Sequence, residues 1–161
     1  GGADVLYGGS GDDTIVLNAS NVSAFASAAS SQSVMRVDGG TGLDTLRLVG
    51  SGITLDLTTI THADLSSTEI IDLTGSGNNT LRLSMRDVLE LGRSNAFDVN
   101  TSATDTRVQL MITGDSGDAV QLTDLANWST SSTYSYGGRT YNVYNNGNVQ
   151  LLIDATIIPG T

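Results

Sequence analysis

Apolar residues in this chain come in short alternating runs, not in long stripes. Met35 and Val37 flank Arg36, and Leu46 and Leu48 flank Arg47, the pattern of short strands with one buried face. Residues 53–57 (ITLDL) and 69–73 (EIIDL) continue it, and RVQLMITGDSGDAVQL predicts two more strands around a glycine–aspartate turn. At 84–91 the period becomes helical: Ser84 predicts an N-cap with Asp87 three residues on, Gly92 a stop, and Met85, Val88, Leu89 and Leu91 a buried face. Such a helix would cover an open sheet edge. The alanine- and serine-rich insertion at 18–33 predicts a short helix or loop, capped by Asn18 or Ser20, with Val22, Phe25 and Ala29 on one face. Near the C-terminus, YGGRTY and YNNGNV predict tight turns of a three-stranded meander.

Onto this pattern the first seventeen residues, GGADVLYGGSGDDTIVL, impose a period of nine. Asp4 recurs as Asp13 and Leu6 as Ile15. Glycines at Gly8, Gly9 and Gly11 permit positive φ, so turn carbonyls can converge beside the carboxylate. A hard, oxygen-lined pocket of that kind suits calcium, and G-G-x-G-x-D-x-U-x is the pattern of a calcium-binding parallel β-roll. DGGTGLDTLRL restates it, with Asp44 in the place of Asp4 and Asp13. Asp12 and Asp38 are further candidate ligands. In TGSGNNTLRL the aspartate place holds Asn79, which can offer an uncharged oxygen to the metal or replace the ion with amide hydrogen bonds. At Asp118 the glycines are displaced and the turn departs from the repeat.

Composition narrows the function classes. The 161 residues carry seven basic and seventeen acidic side chains, a formal charge of -10. A phosphate backbone would be repelled, so nucleic acid is not expected as a partner. The acid excess fits a chain whose folding depends on calcium. With no cysteine, stability must come from stacked strands and metal. Sites of this kind fill where calcium is millimolar, which points outside the cell. No apolar run is long enough to span a bilayer, so membrane insertion is not expected. The chain starts in mid-repeat, as an excised fragment would.

The expected architecture is all-β: calcium-bound parallel β-roll or solenoid turns merging into an antiparallel meander or sandwich-like lobe, with one or two short helices. One domain spans 1–161, with roll turns over 1–50, degenerate turns and the helix over 51–122, and the aromatic-rich meander over 123–157.

These motifs resemble the RTX adhesins, large calcium-dependent surface proteins that Gram-negative bacteria export by type I secretion. DGGTGLDTLRL, EIIDLTGSGNNTLRL, the DVLEL helix, GDSGDAVQL and RTYNVYNNGNVQLLID are similar to one module near the ligand-binding end of that family, over most of residues 34–154. The resemblance implies calcium ligation at Asp4, Asp13 and Asp44. It also implies adhesion, in biofilms or on host cells, through capture of the free C-terminus of a peptide on a target-cell protein. A partly open calcium could take that carboxylate while aromatics grip the preceding side chains.

Every Trp and Tyr except Tyr7 lies in the last third. The candidate ligand surface is therefore Asp118, Asp124, Trp128, Arg139 and Tyr141, beside the late turn and in the aromatic lobe. Carbohydrate is the alternative ligand, and a purely structural calcium roll or spacer the alternative role. GDSG at 114–117 matches the tetrapeptide around a serine-protease nucleophile, with His62 ahead of it, but nothing around His62 supports a triad and a roll turn carries the same residues. No catalytic residues are assigned, and an enzyme is not expected.

Overall fold

The structure, a computed structural model, describes residues 4–28, 35–75, 77–99 and 106–161. The chain is mostly β. The first circuit holds β1 (Val5–Ser10), β2 (Thr14–Leu17) and α1 (Ala19–Ala28), the second β3 (Arg36–Thr41), β4 (Thr45–Leu48) and β5 (Thr54–Asp56). The third runs through β6 (Leu65–Ser66), β7 (Ile70–Asp72), β8 (Thr80–Leu83) and α2 (Met85–Leu91), and the fourth through β9 (Arg93–Ser94), β10 (Val108–Thr113) and β11 (Ala119–Leu122). Then come β12 (Ser129–Tyr136), β13 (Arg139–Asn146) and β14 (Val149–Asp154).

Strands one circuit apart pair in parallel, giving β1-β3-β6, β2-β4-β7-β10-β14 and β5-β8-β11. The apolar alternation explains why. Each inward side chain lies in register with the apolar one of the next circuit, forming columns: Leu6, Val37, Leu65; Ile15, Leu46, Ile71, Ile112, Ile153; and Leu55, Leu81, Val120. The three columns meet in one core, where stacking at strand spacing removes them from water.

The nine-residue copies turn out to be successive sides of one circuit, not stacked neighbours. Val5 pairs with Arg36 and Thr14 with Thr45, so Asp13 stacks on Asp44, while Asp4 belongs to the other side. The expected meander forms, as β12, β13 and β14 pair antiparallel. It adds a second, smaller core of Phe97, Met111, Tyr141, Val143 and Leu152.

Both predicted helices are present. Asn18 caps α1, its Oδ1 accepting from the backbone of Ser20 and Asn21; Ala29 lies outside the described residues. In α2, Asp87 reaches back to the Ser84 amide at 2.7 Å. Val88 and Leu91 are buried, but Leu89 is 44% exposed, against expectation, because Val88 and Leu91, three apart, define the inward face.

Candidate metal centre

The turn between the first two sides of the first circuit, Gly8–Asp13, lies directly on Gly39–Asp44. The contact is backbone on backbone. A Cβ at Gly8 would stand 2.3 Å from the Gly39 carbonyl oxygen, and Cβ atoms at Gly40 and Gly42 would stand 2.1 and 2.2 Å from the carbonyl oxygens of Gly9 and Gly11. Only glycine fits such an approach. The Gly11 amide donates to the Thr41 carbonyl at 2.8 Å, and the Leu43 amide to Asp12 Oδ1 at 2.8 Å.

A second ladder runs through the acidic position. The Asp13 amide donates to Asp44 Oδ1 at 2.9 Å, and the Asp44 amide donates to Glu69 Oε2 at 2.9 Å. Asp44 and Glu69 therefore each spend one oxygen on the amide of the preceding circuit. The remaining Oδ2 atoms of Asp13 and Asp44 are buried with no hydrogen-bond partner. A buried carboxylate oxygen left unpaired is costly, and a cation is the usual remedy. Two carboxylate oxygens beside a close-packed glycine cradle make a hard donor set that fits calcium. Bound there, the ion would be held by Asp13 and Asp44 and would neutralise both. Burial pushes the Glu69 carboxyl above its ordinary range, against the opposing pull of the Asp44 amide and the Arg93 charge.

Two other proposed ligands are engaged in hydrogen bonds within the chain. Asp4 Oδ2 accepts from Asn21 Nδ2 at 3.2 Å, and Asp38 Oδ1 from the Gly40 amide at 3.2 Å. Among the described residues no three His, Asp or Glu side chains gather where one metal could bind them all, so any ion at this turn depends on backbone oxygen as well.

A second stack of turns, at 50–53, 74–79 and 114–118, repeats the ladder with different chemistry. The Ile53 amide donates to Asn79 Oδ1 at 3.0 Å, and the Asn79 amide to Asp118 Oδ1 at 2.8 Å. Among the described residues no buried side-chain oxygen or nitrogen is left over here. Asn79 Nδ2 donates to the Gly50 carbonyl at 3.1 Å, and Asp118 Oδ2 accepts from the Asp115 amide at 2.8 Å. Asn79 thus spends both ends of its amide on hydrogen bonds to the neighbouring turn.

The five candidate ligand-surface residues are all engaged within the protein. Trp128 is buried and donates through Nε1 to Asp124 Oδ1 at 2.8 Å, while Asp124 Oδ2 accepts the first amide of α2 from Met85 at 3.0 Å. Arg139 donates to Asp154 Oδ2 and to the Gly114 carbonyl, both at 2.7 Å, and to Asp115 Oδ1 at 3.0 Å. Asp115 in turn links it to Asp118. Hydrogen bonding to Arg139 holds the Asp115 carboxyl below its ordinary range. Tyr141 is buried, its hydroxyl 3.0 Å from Thr113 Oγ1.

Two residues went unnoticed in the sequence. Glu69 stands two places before the column residue Ile71, as Asp13 does before Ile15 and Asp44 before Leu46; the D-x-U spacing was there to find, with glutamate for aspartate. Tyr136 is 39% exposed and stacks on Tyr134 with ring centroids 6.4 Å apart, a pair that alternation within STSSTYSY places on one face.

No family model, curated protein or solved structure matches this chain. Among the described residues no helix is long and apolar enough to cross a membrane.

Proposed function

We propose that this chain is a calcium-dependent module of a secreted bacterial surface protein, a parallel β-roll in which the ion has a structural role. The carrying observation is the pair of buried, unpartnered oxygens of Asp13 and Asp44 on stacked glycine turns. The ion supplies the positive charge that these carboxylates lack and ties the first circuit to the second. At calcium a hundredfold above its Kd, the folded state gains about 2.7 kcal/mol, a rise in Tm of roughly 5–10 °C for a chain of this size. Scanning calorimetry in calcium and in chelator measures it. D44N should keep the ladder bond through its amide oxygen yet lose most of the calcium-dependent rise. An unchanged Tm in wild type would sink the reading.

A second reading, adhesion by capture of a peptide's free C-terminus, draws on the family resemblance and on one observation. β12 offers an eight-residue outer edge, STSSTYSY, without a charged residue or proline to discourage strand addition, and Tyr136 stands exposed on it. Calcium then acts at a distance, by holding the module folded, or at the ligand's carboxylate. Titrating the module with free and C-terminally amidated peptides, with and without calcium, separates the cases. Binding that ignores amidation removes carboxylate capture, and binding only to sugars moves the module to the carbohydrate alternative.

A further inference from the structure

The two glycine turns cover one another, but the second has no third glycine turn beyond it. Its place is taken by the short Ser67–Thr68–Glu69 link and, from another part of the chain, by Arg93. The difference shows at one carbonyl. Gly11 O is covered by the backbone of Gly42, whereas Gly42 O receives Arg93 NH1 at 2.6 Å. Arg93 is held there by β9, where it pairs with Gln109 of β10. Around it, a cleft of about 280 Å³ is lined by Gly40, Gly42, Ser67, Glu69 and Glu90. Glu69, 4% exposed, accepts the amide of Asp44, whose Oδ2 is buried and unpartnered.

These are the ingredients of the first layer over again: a glycine-turn carbonyl, a buried acid on the ladder and a surplus of negative charge. We propose that the guanidinium of Arg93 is a cation built into the chain, filling the layer beyond the second glycine turn that a metal ion would otherwise take. The metal-dependent part of the stack thus ends at Arg93, and a latent divalent-cation site lies beneath it. A guanidinium suits the place because it satisfies a carbonyl by hydrogen bonding and is never deprotonated. The inference rests on the proposed calcium site only in taking that layer as its pattern.

Calcium counted by equilibrium dialysis and titration calorimetry tests it in wild type, R93K and R93Q. R93Q should bind one more calcium per chain than wild type and gain more Tm from calcium, while R93K should match wild type. Equal ion counts in wild type and R93Q overturn the inference even if wild type binds calcium. A wild type that binds none, beside an R93Q that binds one, overturns the proposed function and leaves this inference standing. Should R93Q not fold in chelator, R93Q/E69Q supplies the check: with the negative charge also removed it should bind no extra ion, and an ion count equal to that of R93Q sinks the proposal.

Discussion

The two turn stacks share a backbone and differ in charge. In both, a side chain two residues before the apolar column accepts the amide of the preceding circuit, and glycines allow one turn to lie on the next. The first uses Asp13, Asp44 and Glu69 and leaves two buried oxygens unpartnered. The second uses Asn79 and Asp118 and leaves none, because an amide brings its own donors and Asp115 turns its backbone toward Asp118. The same architecture therefore occurs with two unpartnered carboxylate oxygens and without them. What decides between them is whether the second side-chain atom of the ladder residue finds a partner within the chain, as Asn79 Nδ2 does at the Gly50 carbonyl and Asp118 Oδ2 at the Asp115 amide.

Close approach of one turn to the next at glycine is common to both stacks, so breaking it should have the largest effect. A Cβ at Gly39 would stand 1.9 Å from the Ser67 carbonyl oxygen, and G39A should cost about 3 kcal/mol in urea denaturation. At Gly77 the obstacle is the Ser51 side chain, 2.4 Å away, and G77A should be comparably harmful because φ is +98° as well. A G39A variant as stable as wild type would mean that the turns do not touch.

Exchanging the ladder chemistry comes next. N79D keeps the acceptor for the Ile53 amide but leaves the Gly50 carbonyl without its donor and adds a buried negative charge. In chelator it should lose about 2 kcal/mol, and part of that loss should return with calcium. No cost in chelator would erase the distinction between the stacks. Smallest should be the outward ion pairs that decorate both: Arg82–Asp56 at 3.2 Å and Arg47–Asp72 at 3.5 Å, each arginine nearly half exposed. R82Q and R47Q should each change stability by about 0.5 kcal/mol or less, and a larger loss from either would assign the exposed faces a role that the ladders do not need.

Much of this was legible because the D-x-U spacing is local. It marked Asp13, Asp44, Asn79 and Asp118 and the column residues that follow them. Which copies stack was not legible. The circuit between Thr14 and Thr45 contains α1, the one between Thr45 and Ile70 contains β5 and its polar link, and nothing in a nine-residue pattern fixes those lengths. Arg93 was hidden for the same reason, since its contact with Gly42 crosses 51 residues. The late candidates were read from a different signal. Trp128 and Tyr141 were singled out as aromatics beside a turn, yet Trp128 packs into the main core and Tyr141 into the smaller one. Richness in aromatic residues says where apolar area is concentrated, not which rings face water.

The ladder bond from Asp13 to Asp44 joins residues 31 apart. An ion shared by the same two side chains would do the work of a reversible cross-link, closing a loop whose entropy costs roughly 3 kcal/mol. A chain without cysteine would then carry a staple that forms where calcium is plentiful and is absent where it is scarce. Where the protein folds would be set by the ion content of the compartment it enters.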